Sequence, residues 1–205
     1  MLQDTGERVI PDEMKPSNGL LLEHLARYHF CIPYLHGRVL DIASGSGYGT
    51  QMIAKAAKKR VSEVIGIDLD DEAVNYANSR YYHPLVRYNQ GNATDPILKE
   101  LYGTFDVIVS FETIEHIEEE ARFLENVYKL LKPNGTLILS TPFGKGRGKP
   151  CGSPFHIHQL TVEEFKNLFN EYDYKQVEFY FQRGVLIEPE KKGIHYPLGV
   201  AVCKK

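Results

Sequence analysis

The chain has 205 residues, 42% apolar and 25% charged, with 17 glycines, 11 prolines and a formal net charge of −3. This is ordinary globular usage, which excludes a low-complexity, collagen-like or coiled-coil protein. The mild acidity removes the bulk electrostatic signal of a nucleic-acid or membrane binder.

In chain order, residues 1–17 are polar, carry Pro11 and Pro16, and read as an arm or lid with no apolar core of signal-peptide type. From Leu20 to Tyr34, Leu21, Leu22, Leu25, Tyr28 and Phe30 fall at roughly helical spacing, so residues 1–35 form an N-terminal arm and helix. Short apolar runs then recur at Arg38–Ala43, Glu63–Asp68, Val86–Asn89, Phe105–Ser110 and Thr136–Thr141, too short for helices and read as buried strands. Helical stretches alternate with them at Tyr48–Ala57, Asp71–Arg80 and Glu118–Leu131, the last closed by Pro133-Asn134-Gly135. Strand alternating with helix implies right-handed βαβ units and a parallel sheet covered on both faces. After a helix at Thr161–Phe169, the runs Lys175–Gln182 and Leu198–Lys204 have no helix between them and predict an antiparallel edge pair. The Gly/Pro/Lys-rich stretch after Pro142 is too long for a plain connector, so residues 142–158 read as an acceptor-side loop.

Cys31, Cys151 and Cys203 are far apart and form no CxxC pair, so neither a disulfide framework nor a zinc ribbon is expected. With no long apolar run, the expectation is one soluble, cytoplasmic domain over residues 1–205, without membrane insertion and with its oligomeric state open.

The strongest local signal is Val39-Leu40-Asp41-Ile42-Ala43-Ser44-Gly45-Ser46-Gly47-Tyr48-Gly49-Thr50. A strand ends, small residues turn the chain, and a helix begins near Tyr48. Such a turn lets the backbone approach a ligand and offers the unpaired N–H groups of a helix start. The second strand closes on Asp68, where open α/β sheets place an acid that accepts from ribose hydroxyls. A dinucleotide fingerprint would need a third glycine or alanine where this chain has Thr50, so that reading fails.

The spacing Asp41-x-Ala43-x-Gly45-x-Gly47 instead resembles the first motif of class I S-adenosylmethionine-dependent methyltransferases, with Ala43 where that family usually has glycine. The resemblance implies an α/β, Rossmann-like three-layer sandwich with a mostly parallel seven-stranded sheet in the order 3-2-1-4-5-7-6, strand 7 antiparallel. It also implies that Asp41, Ala43, Ser44, Gly45, Gly47 and Tyr48 hold the methionine and ribose side of the cofactor. Asp68 would hold the ribose, with Leu69 beside the adenine. Gly91-Asn92-Ala93 stands where the family commonly has Gly-Asp-Ala, so Asn92 and Ala93 would meet the adenine edge, the Asn92 carbonyl accepting from its amine. Phe111 would lie near the methionine portion. Thr5-Gly6-Glu7-Arg8 and Glu23-His24-Leu25-Ala26-Arg27-Tyr28 further resemble a bacterial subgroup associated with surface-glycan biosynthesis. Arg27 reads either as a partner of the cofactor carboxylate or as part of a solvated helix face.

Acceptor chemistry points to Phe111-Glu112-Thr113-Ile114-Glu115-His116-Ile117, whose Glu112, Glu115 and His116 share one face at i, i+3, i+4, and to His156 in Phe155-His156-Ile157-His158. In one reading His116 or His156, with Glu115 beside them, is the base for a hydroxyl. In another, Glu112, Glu115, His116 and His156 hold a divalent metal, as in the metal-using methylases of small-RNA 3′ ends and of ubiquinone precursors that the Glu-x-x-Glu-His spacing and later His resemble. The basic run Lys145-Gly146-Arg147-Gly148-Lys149 reads as a solvated loop or a phosphate contact. Together these features predict a methyltransferase acting on a sugar hydroxyl or other small polar acceptor. The alternatives are metal-assisted methylation of RNA ends and a non-catalytic cofactor-binding protein; net charge disfavours nucleic acid as partner.

Overall fold

Side chains along a strand alternate between the two faces of its sheet, and here both faces are covered. In the computed structural model, which describes Leu2 and residues 6–205, five strands pair in parallel: β1 (Gly37–Ile42), β2 (Val61–Asp68), β3 (Val86–Gln90), β4 (Phe105–Phe111) and β5 (Leu131–Pro142). Val39, Val64, Val107, Val109 and Ile138 enter a core shared with α1 (Gly19–Cys31) and α2 (Tyr48–Ala56). Their neighbours Leu40, Ile42, Ile65, Ile67, Ile108, Leu137 and Leu139 enter a second core, shared with α4 (Ile97–Tyr102), α5 (Glu120–Leu130) and α6 (Val162–Asn167). The α3 helix (Asp71–Arg80) packs on β2 and β3, its start capped by Asp70, which accepts from the Glu72 amide at 2.9 Å. The result is the three-layer sandwich that the alternation of elements implies.

The expected seven-stranded sheet needs correction. Eight strands run in the order β3-β2-β1-β4-β5-β8-β6-β7, with β6 (Gln176–Arg183), β7 (Leu186–Glu188) and β8 (Leu198–Lys204). The chain reverses at Gly184, whose φ of 58° suits a residue without a side chain, and β7 then adds a strand outside β6. Three residues are too few to show an alternation. The strand inserted antiparallel between β5 and β6 is therefore the eighth. The helix expected to close at Pro133-Asn134-Gly135 does end just before it, at Leu130, but the turn belongs to β5 and is no free connector. It forms a bulge inside β5, between the pairs Phe105/Leu131 and Val107/Thr136, with Asn134 at φ 63°. A Cβ on Gly135 would lie 2.8 Å from the Lys132 carbonyl oxygen.

Two segments close over the carboxyl ends of the strands. The arm is anchored by buried Val9 and Ile10, by Ser46 Oγ donating to the Val9 carbonyl at 2.7 Å, and by ion pairs Arg8–Asp70 and Arg80–Asp12, both 2.6 Å. Met1 and residues 3–5, including Thr5 of the N-terminal signature, lie outside the described residues. The loop after β5 is tied at its neck by Gly144 donating to the Leu160 carbonyl at 2.8 Å. Its Arg147 is taken up by Glu120, at 2.5 Å, and its backbone N–H by Glu164, so the side chain at the centre of the basic run faces protein carboxylates. Among the described residues no helix is long and apolar enough to cross a membrane.

Candidate cofactor and acceptor site

The turn after β1 runs through left-handed backbone at Ala43 (φ 58°), Gly45 (φ 56°) and Gly47 (φ 87°). Gly47 is required: a Cβ there would sit 2.4 Å from Ala77 Cβ and 2.8 Å from the Tyr88 ring. Ala43 adopts the same hand of backbone at some cost, since a side chain disfavours it. The Gly45 amide donates to Asp68 Oδ2 at 2.7 Å, so the end of β2 and the turn are locked together. Asp41 lies beneath the turn. It accepts from Thr50 Oγ1 at 2.6 Å and from the Tyr28 hydroxyl at 3.3 Å, and burial pushes its carboxyl up to about 7 against those two donors.

Two contiguous cavities open beside this turn. The larger, about 350 Å³, is lined by Ala43, Ser44, Gly45, Tyr48, Asp68 and Phe111, with Glu7, His24 and Phe155 on its far side. The smaller, about 170 Å³, is a mostly apolar slot between Ile67, Leu69, Asn92, Ala93 and Ile117. Ala43, Asp68, Glu112 and His116 border both. An elongated ligand with one flat, apolar end and one polar end fits this pair of spaces, Asp68 standing at their junction. Asn92 differs from expectation. Its Oδ1 accepts from the Thr94 amide at 3.0 Å and the Thr94 hydroxyl at 2.9 Å, so the oxygen expected at the adenine amine is spent within its own loop.

On the acceptor side, the residues that share a helical face in the sequence take separate roles. They form a single 3₁₀ turn over Ile114–His116, preceded by Glu112 at φ 50°. Burial would raise the Glu112 carboxyl, but His24, whose Nε2 donates at 3.1 Å, and the ion-paired Arg27 guanidinium outweigh it and hold it at about 2. Arg27 is fully buried, donates to Gln182 Oε1 at 2.8 Å and does not border either cavity; the carboxylate it meets is that of Glu112, not of a ligand. Glu115 is fully buried too. Its Oε2 accepts from Thr141 Oγ1 at 3.0 Å, and burial, with the Glu112 charge, pushes its carboxyl up to about 8. Its backbone carbonyl accepts from the Ile157 amide at 2.9 Å, so Glu115 supports the loop and does not face the cavity.

His116 does face it. Its Nδ1 donates to the Phe155 carbonyl at 3.0 Å, which leaves Nε2 as the nitrogen with a free lone pair. The His156 ring stands edge-on to it, centroids 4.9 Å apart, and burial shifts that imidazole down, toward the neutral form. Glu7 from the arm completes the group. Ser153 Oγ donates to its Oε1, and its Oε2 lies 3.4 Å from His156 Nε2. The expected quartet of metal ligands is thus not assembled: Glu112 and Glu115 are engaged elsewhere, and Glu7 stands with the two histidines. Glu7 and His24 carried no assigned role in the sequence. Their only signal was membership of a polar N-terminal pattern, because nothing in local spacing shows that an arm folds back over residues more than 100 positions away.

Residues 40–139 match the family of methyltransferase domains. The chain is 36% identical over 169 residues to the "Probable S-adenosylmethionine-dependent methyltransferase Rv3030" of Mycobacterium tuberculosis, a match covering 80% of this chain and 58% of that one. The chain thus spans a little under three fifths of that relative's length. It is 31% identical over 108 residues to the ubiquinone biosynthesis O-methyltransferase of Psychrobacter arcticus, covering 51% of this chain and 40% of that protein. Among solved structures, a complex of the Haloferax volcanii Trm112 methyltransferase activator with a methyltransferase superposes with a TM-score of 0.70 at 16% identity, covering 91% of each chain. Phosphoethanolamine N-methyltransferase 2 of Haemonchus contortus, in complex with S-adenosylmethionine, gives 0.59 at 20% identity over 76% of this chain and 38% of that one. With this fold and the match over residues 40–139, that stretch is a methyltransferase domain.

Proposed function

We propose that the chain is an O-methyltransferase acting on a hydroxyl of a sugar or similarly small polar acceptor, with residues 1–205 serving as one catalytic domain and 142–158 as its acceptor-side loop. S-adenosylmethionine supplies the electrophilic methyl group. The backbone of Ala43–Gly47 and the Tyr48 ring would border its methionine and ribose portions, Asp68 would accept from the ribose hydroxyls, and the slot of Leu69, Asn92 and Ala93 would take the adenine. The donor atom that Asn92 has left for a base edge is its Nδ2. Asp41, hydrogen-bonded under the turn, keeps that turn in shape.

The observation that carries the reading is His116, which borders both cavities with its tautomer set by the Phe155 carbonyl and a basic nitrogen left open. A hydroxyl acceptor must lose a proton as its oxygen is methylated, and a neutral imidazole suits that task near neutral pH. His156, Gln159 and Glu7 form the polar wall around it: the Gln159 amide bonds His156 Nδ1 at 3.0 Å. The small size of the cavities and the absence of a net basic charge favour a small acceptor over RNA. The test is transfer of labelled methyl groups to a panel of nucleotide sugars and simple glycosides. In His116→Ala, turnover on the accepted substrate should fall by about 10²–10⁴-fold. Affinity for S-adenosylhomocysteine should fall far less than turnover, since His116 supplies only part of the wall of the two cavities. A variant with the wild-type rate would show that His116 takes no proton.

A further inference from the structure

We infer that Glu7, His116 and His156 form a binding site for a divalent first-row transition-metal ion, a site that closes only when the N-terminal arm lies against the loop after β5. One ligand atom from each of the three lies within 4.8 Å of the others. Glu7 Oε2 and His156 Nε2 are 3.4 Å apart, which is about the separation of two ligand atoms held at ~2.1 Å around a tetrahedral ion. The third atom has to move in by roughly 1.4 Å at most, within the reach of side-chain rotation about a fixed backbone.

Two of the ligands are already prepared by a second hydrogen bond, as ligands of such ions are, and the third needs one amide flip. His116 Nδ1 is spent on the Phe155 carbonyl, so Nε2 is the ligating nitrogen. The Gln159 side-chain nitrogen lies 3.0 Å from His156 Nδ1; a flip of that amide presents its oxygen there instead and leaves His156 Nε2 to the ion. Ser153 fixes Glu7 by Oε1, and Glu7 Oε2 is a buried oxygen that, among the described residues, has the His156 imidazole 3.4 Å away and no hydrogen-bond partner. A buried carboxylate oxygen without a donor carries a cost that a cation would remove.

Two imidazoles and one carboxylate suit zinc, cobalt or manganese better than magnesium, which prefers oxygen alone. Three protein ligands leave at least one coordination position, and His116 borders the cavity onto which it would open. Resting on the O-methyltransferase reading, that position would take the acceptor hydroxyl oxygen and lower its pKa, so that its proton leaves to solvent water. With the ion bound, His116 Nε2 is a ligand in place of the base it provides in the ion-free site, and the arm would be tied to the loop across the cavity mouth.

The test is a titration of the cofactor-free, metal-stripped protein with cobalt(II), read by visible absorption, followed by displacement with zinc. One ion per chain should bind saturably, and Glu7→Gln and His156→Ala should each weaken it at least tenfold while S-adenosylhomocysteine affinity, measured by calorimetry, is retained. Retained cofactor-product binding also shows that these variants are folded. Absence of a saturable 1:1 spectrum overturns the site, as does unchanged cobalt affinity in the two variants. If the wild-type protein binds cobalt yet fails to bind S-adenosylhomocysteine, the methyltransferase reading fails and the ion site stands.

Discussion

The two halves of the cavity are built in different ways. The cofactor half is made of backbone: a turn of small residues at 43–47, the end of β2, and the Gly91–Ala93 loop, each formed by residues adjacent in sequence. The acceptor half is made of side chains brought from the arm, α1, the end of β4 and the loop after β5, with Glu7 and Ser153 meeting across 146 positions. A backbone cradle tolerates changes among small side chains, as Ala43 in place of glycine shows. A side-chain cluster depends on every partner and on the closure of the arm and the loop after β5. The cofactor half should therefore be the more forgiving, except at the one acid it relies on.

That exception predicts the largest effect. Asp68→Ala removes the acceptor for ribose hydroxyls and the partner of the Gly45 amide. Hydrogen bonds to a charged group are worth about 1.5–3 kcal/mol each, so calorimetry should find S-adenosylhomocysteine binding weakened by about 10²–10³-fold. Unchanged affinity would place the ribose elsewhere and break the assignment of the cofactor half.

A smaller effect should separate the two carboxylates of the acceptor half. The folded Glu115 carboxyl keeps its proton up to about 8, whereas the ordinary value is 4.5, so the native state holds an extra proton between those values. Its stabilising contribution is complete below about pH 4.5 and declines as pH rises toward 8. Glu112, held at about 2, works in the opposite sense: its contribution is present above 4.5 and is lost as pH falls toward 2. Denaturant unfolding of Glu115→Gln against the wild type should show the variant gaining relative stability from pH 6.5 to 8, by about 1–2 kcal/mol. Parallel profiles would mean that Glu115 is charged in the native state.

The smallest effect concerns Ala43. Left-handed backbone costs a residue with a side chain about 1–2 kcal/mol, and glycine gives back much of that through the freedom of the unfolded chain. Ala43→Gly should therefore raise Tm by only about 1–3 °C, seen by calorimetric scanning. A fall in Tm of the same size would show that the Ala43 methyl packs favourably enough to offset its backbone, making the cofactor half less forgiving than its construction suggests.

How far the site was legible follows from the same division. Asp68 was readable because β2 and the turn it serves are one βαβ unit, and the position of an acid at a strand end carries its role. Asn92 lines the smaller cavity, yet its oxygen does not face it, since Thr94 two residues on captures it in a local turn. The i, i+3, i+4 spacing of Glu112, Glu115 and His116 suggested one face. The positive φ of Glu112 and the single 3₁₀ turn after it send Glu115 inward, to Thr141, instead. Arg27 was legible as a cation seeking a carboxylate, but not which one, because Glu112 reaches it from just after β4 and Gln182 from β6.

By itself the sequence determined the alternation of strands and helices, the parallel half of the sheet and the cofactor turn. These rest on local periodicity and on residues whose backbone freedom decides their place. The tertiary structure alone decided the eighth strand, the separation of Glu112 from Glu115, and the meeting of Glu7 with two histidines. Each of these depends on contacts between segments far apart in the chain, whose geometry exists only after the two hydrophobic cores have fixed where those segments end.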